Sequence, residues 1–382
     1  MTSCRDLTAC LACGRTTLAP VLDLGQQPLA NTYATTPEEA RSLPRYPLVL
    51  MRCVHCTHLQ LSVSVDRAAI FSDYIYRSGT ADTMREHFRT FAQYVTDRHG
   101  VGRVLDIACN DGSQLDAFRD LGWQTVGVDP AVNLREFNTH ETRWQFFDES
   151  CLDLGDFDVV VAQNVVAHTD RPANMLSLAG RMSDHVYVQT SQARMIHRGE
   201  FDTIYHEHLS FFSPRSMAAL AMRSSMFLQD VRVVPIHGES FVFHLGHTPT
   251  EPSLEYWGAE QVERFAGNAR TVISDLREMF DRHPSLVGYG AAAKAMTVLN
   301  AVGAGPRFIV DDAPEKQGRY TPGLGIGVWP PDELCWHSER DDGPLELVPL
   351  AWNFHDEIVQ RVRRYYTGPM RTLRYFPEVR WA

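Results

Sequence analysis

The chain has 382 residues and a formal net charge of −11, from 36 basic and 47 acidic side chains, and 44% of its residues are hydrophobic. This is the composition of an ordinary globular protein, which excludes a wholly disordered or collagen-like chain. At roughly 150 residues a domain, the length predicts two or three domains. The acidic balance gives no bulk attraction to nucleic acid or to an anionic membrane, so any bound phosphate must be held by a few placed cations.

The sequence contains no run of 18 apolar residues and begins without a basic segment followed by an apolar one. It therefore predicts neither a transmembrane helix nor a secretory signal, and we expect a cytoplasmic protein. In that compartment the eight cysteines are not expected to form a disulfide framework.

Four cysteines form two C-x-x-C pairs, Cys10 with Cys13 and Cys53 with Cys56. Two facing pairs supply the four thiolates of a tetrahedral zinc site, and a full ligand shell makes the metal structural. The distance between the pairs exceeds that of a zinc ribbon, so a longer loop is expected there. The alternatives are four unrelated buried cysteines or a redox site, for which one pair suffices. The remaining cysteines are predicted to be free and mostly buried: Cys4, Cys109, Cys151 and Cys335.

From residue 101 onward, buried strands alternate with helices, which predicts a doubly wound parallel α/β sheet. The predicted strands are 101–109, 125–129, 158–162 and 185–189. A turn follows the first strand, and Asp129 ends the second, a pattern that suits an adenosyl ligand. The chain lacks the G-x-G-x-x-G of dinucleotide sites, and S-adenosylmethionine (SAM) has no phosphate to cradle. The alternative is a strand and turn without a ligand.

A late hairpin of residues 231–235 and 241–245 predicts that the sheet ends with one antiparallel strand, as methyltransferase sheets do. Between the fourth predicted strand and this hairpin lies Tyr205-His206-Glu207-His208, the densest run of titratable side chains in the sequence. A histidine titrates near neutral pH, a glutamate can polarise it, and a tyrosine can donate to an oxyanion. A surface loop or a helix cap is the alternative.

The C-terminal part predicts a third α/β unit. A long amphipathic helix over 253–283 is ended by Pro284, and a strand, glycine turn and helix follow over 285–294. Further strands are predicted over 307–311 and 345–350. Two lysines, Lys294 and Lys316, could neutralise a diphosphate, and the alternative for each is a solvated surface position.

Taken in order, these segments resemble the bacterial SAM-dependent C-methyltransferases of nucleotide-deoxysugar biosynthesis, over nearly the whole chain. The matching segments are CLACG, DLGQQPLA, RCVHC, MREHF, DIACNDG, YHEHL, VGYGA, DDAPEKQG, TPG and LAWN. The resemblance implies a zinc-binding domain over 1–75, a class I SAM methyltransferase domain over 76–253, and a C-terminal Rossmann-like nucleotide-sugar-binding domain over 254–382.

Members of this family methylate the carbon next to the 4-keto group of a deoxysugar, usually C-3, in natural-product pathways. A base removes the acidic proton, and the enolate attacks the methyl group of SAM. The resemblance implies that His208 is the base, Glu207 its polar partner, Tyr205 and Tyr76 tyrosines near the ketone, and His168 an active-site histidine. It also implies a nucleotide-activated 4-keto-deoxysugar, expected to carry dTDP, and a monomer or weak homodimer.

Two lists complete the candidate site. The candidate cofactor-binding residues are Asp106, Ala108, Asn110, Asp111, Gly112, Asp129 and Asn164. The candidate substrate-binding residues are His237, Tyr289, Gly290, Lys294, Asp311, Lys316, Trp352 and Asn353.

The chain departs from the family pattern at three positions. Ala108 stands where the family commonly has glycine, and its methyl group is expected to fit if the backbone φ is negative. In the hairpin, Glu239 adds an anion and Val242 replaces an arginine, which could change the sugar or the reaction. The alternatives are an epimerase or a combined methylating and reducing enzyme on the same scaffold, or a non-catalytic zinc-knuckle interaction protein.

Overall fold

The computed structural model describes residues 4–71, 77–191, 194–236, 238–251, 254–339 and 343–382. Two predicted site residues, Tyr76 and His237, lie outside the described residues. The chain forms two compact units, and each is assembled from three segments. The first unit comprises Met1–Ala19, Met51–Arg194 and Glu207–Trp257, and the second comprises Pro20–Leu50, Met195–His206 and Gly258–Ala382. The three predicted sequence domains remain a prediction.

The strands of the described residues are β1 Cys4–Asp6, β2 Leu18–Gln27, β3 Tyr46–Cys53, β4 Leu59–Leu61, β5 Val63–Val65, β6 Arg103–Ile107, β7 Gln124–Val128, β8 Glu141–Arg143, β9 Val159–Gln163, β10 Val186–Thr190, β11 Ser210–Phe211, β12 Phe227–Val234, β13 Ser240–Gly246, β14 Val287–Tyr289, β15 Ile309–Val310, β16 Arg319–Tyr320, β17 Gly327–Trp329, β18 Leu345–Pro349, β19 Met370–Arg374 and β20 Arg380–Trp381. The α-helices are α1 Pro37–Ser42, α2 Arg67–Phe71, α3 Asp82–His99, α4 Ser113–Asp120, α5 Pro172–Met182, α6 Met195–Arg198, α7 Pro214–Arg223, α8 Ala259–Arg282, α9 Ala293–Val302 and α10 His355–Val362.

The main sheet of the first unit has seven strands in the order β12-β13-β10-β9-β6-β7-β8. Neighbours from β10 to β8 pair in parallel, whereas β13 pairs antiparallel with both β10 and β12. The central strands are continuous apolar runs, such as the wholly buried Val-Val-Val-Ala of β9, because helices cover both faces of such a sheet. The predicted strands and the late hairpin are confirmed, and the sheet has a single reversed strand, but that strand, β13, lies between β10 and β12 rather than at the end of the sheet.

An aromatic cluster holds α3 and α4 against this sheet. The Phe91 ring meets the rings of Phe118 and Tyr187 edge to face, with centroids 6.2 and 5.8 Å apart. Phe118 meets Trp123 in the same way at 5.3 Å. All four side chains are buried, so this core fixes α4 against α3 and the sheet.

The segment between the two cysteine pairs is more ordered than the expected loop, because it contains all of β2 and α1 and nearly all of β3. The helix α1 forms because Thr36 caps it and Pro37 occupies its first turn. The Thr36 hydroxyl accepts the backbone N–H of Glu39 at 3.1 Å. Within the first unit, β11 pairs antiparallel with β4, and β1 pairs separately with β5.

The second unit is built on another seven-stranded sheet, in the order β16-β17-β15-β14-β18-β19-β20. The pairs from β17 to β19 are parallel, and the two edge pairs are antiparallel. The long helix α8 ends before Pro284 as predicted, but it begins at Ala259 rather than at residue 253. Its start is set by a cap, in which Gln261 Oε1 accepts the Gly258 N–H at 2.9 Å.

The predicted strand, glycine turn and helix near residue 290 are confirmed as β14, Gly290 and α9. Gly290 has φ +94°, and a Cβ there would lie 3.2 Å from the Cβ of Ala351. Glycine is therefore required by both the backbone conformation and the space. In the described part of the chain, no helix has the length and apolar character needed to cross a membrane.

Candidate functional site

The four paired cysteines of the first unit form one cluster. Their sulfur atoms lie within 4.8 Å of one another. The Sγ atoms of Cys10 and Cys56 are 3.5 Å apart, and those of Cys13 and Cys53 are 3.6 Å apart. A tetrahedral zinc ion with bonds of about 2.3 Å requires sulfurs about 3.8 Å apart. The cluster therefore fits a structural zinc ion after a small expansion.

Both cysteine pairs lie on the same kind of turn. The Gly14 N–H donates to the carbonyl of Cys10 at 2.8 Å, and the Thr57 N–H donates to that of Cys53 at 3.1 Å. Gly14 has φ +78° and Thr57 has φ +62°. A hydrogen bond from Cys10 lowers the pKa of the Cys56 thiol. Of the other cysteines, Cys109 and Cys151 are buried, and Cys4 and Cys335 are exposed, so the expectation of mostly buried thiols holds for only half of them.

The predicted cofactor loop joins β6 to α4, and it is anchored by the acid at the end of β7. Asp129 accepts the Asn110 N–H at Oδ2, 2.8 Å away, and the Ala131 N–H at Oδ1, 2.7 Å away. Burial raises the pKa of Asp129, although these two N–H groups oppose the shift. Burial also raises the pKa of Asp106, and the charge of Asp129 adds to that effect. Each Asp129 oxygen keeps a lone pair for a ribose hydroxyl.

Ala108, in this loop, has φ +63°. The extra methyl group of Ala108 is expected to fit only if φ is negative. The structure does not meet this condition. A residue other than glycine pays about 1–2 kcal/mol for this left-handed conformation. Asn110 at φ +51° and Gly112 at φ +80° continue the same strained turn.

Two predicted cofactor residues also hold a neighbouring segment in place. Asp111 Oδ2 accepts the Gly79 N–H at 2.9 Å, and Asn110 Oδ1 accepts the Ser78 N–H at 2.9 Å. A Cβ on Gly79 would lie 1.9 Å from the Ser113 Oγ, so only glycine fits there. These contacts give Asp111 and Asn110 a structural role. Their contact with a cofactor remains a prediction.

Buried polar atoms without a hydrogen-bond partner in the described structure collect near the carboxyl ends of β9 and β10. They are Gln114 Nε2, Gln163 Oε1, Asn164 Oδ1, Gln189 Nε2 and Thr190 Oγ1. Each unpaired buried group costs about 1–3 kcal/mol, so the site favours a ligand with several donors and acceptors. The ribose, amine and carboxylate of SAM fit this requirement. Of these residues, the sequence predicted only Asn164. Gln163, Gln189 and Thr190 could have been predicted, because each is a polar residue at the end of an apolar strand.

Two predicted catalytic residues, His168 and His208, are neighbours in the first unit. Their ring centroids are 5.0 Å apart, and Phe71 stacks on His168 at 5.6 Å. His168 ends a short 3-10 segment that follows β9, so the pair lies at the carboxyl edge of the sheet. Burial lowers the pKa of His168 to about 4. Glu207 and His208 are each only 6% exposed.

The anion that the hairpin gains is paired within the first unit. Glu239 Oε2 lies 2.8 Å from the Nε of Arg194. Val242, at the position where the family has arginine, is a buried core residue of β13. Arg194, from a distant part of the sequence, therefore balances the negative charge that Glu239 adds, and an effect on the sugar or the reaction remains a prediction.

In the second unit, the turn after Gly290 is held by predicted and unpredicted residues. The Ala291 carbonyl accepts the Tyr33 hydroxyl at 2.7 Å and the Lys316 Nζ at 2.8 Å. Asp311 accepts the Ala291 N–H at 2.6 Å and lies 3.7 Å from Lys316. The contacts of Lys316 are thus internal, and its binding of a diphosphate remains a prediction. Burial raises the pKa of Tyr33, which keeps it a neutral donor.

Lys294 and Trp352 form a second group. The Lys294 Nζ lies 6.0 Å from the Trp352 ring centroid, and the Trp352 indole N–H donates to Asp202 Oδ2 at 2.7 Å. Trp352 lines a cavity of about 430 Å³, which is of the size that small ligands occupy. The other side chains around it include Asn353, which was predicted, and Phe354, Arg374 and Phe376, which were not.

Two predicted tyrosines remain. Tyr289 donates its hydroxyl to Asp312, with oxygens at 2.9 and 3.0 Å, and Arg361 binds the same carboxylate at 2.8 Å. Tyr205 is half-buried and belongs to the second unit. At these positions, the neighbouring sequence does not show whether the side chain contacts a ligand or another residue of the protein.

Three family models match the chain in succession. They are described as "Putative zinc binding domain" over residues 10–71, "Methyltransferase domain" over 76–224, and "C-methyltransferase C-terminal domain" over 251–377. With the sheet order and the four clustered cysteines, these matches confirm the predicted class I SAM methyltransferase fold and its zinc-binding domain. They also support SAM and zinc as the cofactors.

The chain is similar to the C-methyltransferase NovU of Streptomyces niveus, with 25% identity over 98% of this chain and 97% of that protein. It is 34% identical to a ubiquinone biosynthesis O-methyltransferase of Nitrobacter winogradskyi, over 21% of this chain and 37% of that one. A magnesium protoporphyrin IX methyltransferase structure from Synechocystis, with bound SAM, overlaps 43% of this chain and 79% of its own at 12% identity and a TM-score of 0.34. The full-length match and the three family models support a SAM-dependent C-methyltransferase.

The cysteine cluster makes zinc part of the folded state. In Cys53→Ser purified without added zinc, we expect the zinc content to fall from one equivalent per chain to well below half, and the free energy of unfolding to fall by several kcal/mol, because metal binding contributes directly to folding. Metal analysis and thermal denaturation measure the two effects. The matched control is Cys4→Ser, at an exposed cysteine outside the cluster, which should retain both values. A full zinc equivalent in Cys53→Ser purified without added zinc would contradict the assignment.

The left-handed backbone of Ala108 predicts an unusual response to glycine. Ala108→Gly should raise the free energy of unfolding by about 0.5–1 kcal/mol, because relief of about 1–2 kcal/mol exceeds the entropy that glycine adds to the unfolded chain. The control, Ala219→Gly within α7, should lower it by about 0.5–1 kcal/mol. Urea denaturation compares the two. Equal destabilisation by both changes would show that Ala108 is not strained.

Proposed function

We propose that this protein transfers a methyl group from SAM to the carbon next to the 4-keto group of a nucleotide-activated deoxysugar, at C-3, in the cytoplasm. The observation that carries the proposal is the contact between His168 and His208 at the carboxyl edge of the methyltransferase sheet. The full-length similarity to a protein named a C-methyltransferase favours carbon over oxygen as the acceptor.

The chemistry begins with a proton on carbon. A 4-keto group makes the neighbouring C–H acidic, so a side chain whose pKa lies near the working pH can remove that proton and leave an enolate. When bound, SAM supplies an electrophilic methyl group to the enolate carbon. The protein must therefore place a base, a partner for the developing oxyanion and a water-poor setting around them.

We assign the base to His208. Its buried imidazole lies beside Phe211, edge to face at 6.3 Å, and His168, at 5.0 Å. Because the pKa of His168 is lowered to about 4, that ring stays neutral near pH 7. A neutral neighbour does not repel the positive charge that His208 gains with the substrate proton. Glu207 is proposed as its polar partner, and Tyr205 and Tyr76 as donors to the ketone oxygen.

The methyl donor is assigned to the loop between β6 and α4. Asp129 would accept the ribose hydroxyls, and Asn164 with Gln163 and Gln189 would pair the remaining polar groups. This assignment accounts for the buried polar atoms there, which find no partner within the described structure. Asn110 and Asp111 would keep the loop in shape through their bonds to residues 78 and 79.

The nucleotide-sugar is assigned to the second unit. Lys294 lies beside Trp352, and the cavity that Trp352 lines also has Arg374 and Phe376 in its wall. Aromatic rings stack on a nucleobase, and Lys294 suits a diphosphate, whereas Arg374 is paired with Asp356, 3.2 Å away in the same cavity wall. This arrangement fits the few placed cations that an acidic chain requires, and we propose dTDP as the nucleotide.

The test is methylation by the purified zinc-loaded protein, with SAM and a dTDP-4-keto-deoxysugar. His208→Ala should lower kcat by about 10²–10⁴-fold, the usual contribution of a general base, while the affinity for SAM changes less than about twofold. Carbon-13 NMR of the product locates the methyl group, and calorimetry measures SAM binding. The control is His247→Gln, at an exposed histidine in the first unit.

Each contrary result has a distinct meaning. Full activity in His208→Ala, with SAM still bound, would remove His208 as the base. Deuterium uptake at the sugar carbon without methyl transfer would favour an epimerase. Failure of the wild-type protein to bind SAM would favour a non-catalytic role.

A further inference from the structure

Three histidines of the first unit come together away from the proposed methyl-transfer site. We call His99, His185 and His244 the histidine triad. His99 is the last residue of α3, His185 directly precedes β10, and His244 in β13 pairs across the sheet with Tyr187 of β10. The triad therefore lies at the amino end of β10, whereas the candidate cofactor site lies at the carboxyl end of the same strand.

The spacing of the triad is that of a ligand set. One nitrogen from each ring lies within 4.8 Å of the other two. His185 Nδ1 and His244 Nε2 are 3.2 Å apart, and two nitrogens bound to one tetrahedral ion at 2.0–2.1 Å are about 3.3 Å apart. The ring centroids of His99 and His185 are 4.0 Å apart. Small ring rotations therefore suffice to direct three lone pairs at one point.

The imidazoles can act as metal ligands, because a neutral ring offers a nitrogen lone pair. His244 is only 5% exposed, and its Nε2 faces His185 Nδ1 through a hydrogen bond that a bound ion would replace. Burial lowers the pKa of His244 to about 3 and that of His99 to about 4. His99 and His185 are half-buried, so an ion can enter from their side.

The surroundings supply the outer contacts that metal-binding histidines usually have. The Tyr187 hydroxyl lies 2.8 Å from His99 Nε2, which fixes that ring and leaves its Nδ1 for an ion. The Tyr187 ring also stacks on His244, with centroids 4.5 Å apart. Arg98 is a nearby cation that would repel a metal ion. The Asp230 carboxylate, 3.7 Å from Arg98, offsets this repulsion.

We propose that the histidine triad binds one divalent transition-metal ion, zinc in the first place, through three imidazole nitrogens. Three nitrogens without a carboxylate suit zinc, nickel, cobalt or copper and not magnesium or calcium. The ion would link the end of α3 to β10 and β13 and so brace this edge of the sheet. Water completes the fourth position. The site is independent of the proposed methyl transfer, because it lies at the opposite edge.

The experiment titrates zinc chloride into the full-length protein whose cysteine site is already loaded. We expect metal analysis after removal of free zinc to give two equivalents per chain, and calorimetry to detect one added site. At a free zinc concentration of 100 times Kd, the melting temperature should rise by about 5 °C or more. Magnesium chloride at the same concentration should produce neither effect.

Two variants test the assignment. His185→Gln should bind one equivalent and lose the added thermal shift, while circular dichroism and the cysteine-site zinc stay at wild-type levels. The matched control is His247→Gln, an exposed histidine outside the triad, which should retain both equivalents. A second equivalent in His185→Gln, or a single equivalent in the wild-type protein at saturating zinc, would overturn the proposal. Methylation is not a readout, so failure of the proposed function leaves this result unchanged.

Discussion

Parallel pairing of β6, β7, β9 and β10 is the constraint on which the functional geometry of the first unit depends. Parallel strands bring all their carboxyl ends to one edge. The cofactor loop after β6, Asp129 after β7, Asn164 after β9 and Gln189 near the end of β10 therefore meet although they are far apart in sequence. The same rule places the histidine triad at the other edge, because His185 precedes its strand.

Desolvation sets the protonation states before any ligand arrives. Burial holds His168 neutral at the edge that would receive the substrate proton, and it holds His244 neutral at the opposite edge. The strained backbone of Ala108 and Asn164, with φ of +63° and +54°, also falls at the carboxyl edge. Such strain persists where the surrounding structure over-determines it, which is common at ligand sites.

Much of the fold could be predicted because it depends on patterns of residue type within short stretches of sequence. Apolar runs marked the central strands, Pro284 marked the end of α8, and paired cysteines marked the zinc cluster. Local patterns do not report partners that are distant in sequence. The pairing of Arg194 with Glu239, and the hydroxyl of Tyr33 on the Ala291 carbonyl, arise only when remote segments pack together.

The sequence by itself determined the class of the two sheets, the four zinc ligands and the set of candidate catalytic and cofactor residues, because each depends on residue type and short spacing. Tertiary structure alone decided which of them meet. In the folded chain, His168 contacts His208, and Lys316 donates to a backbone carbonyl. Ala108 adopts a left-handed conformation, and the histidine triad assembles from three separate elements. The physical reason is that strand pairing and burial, which act over long sequence separations, fix distance, charge state and backbone conformation.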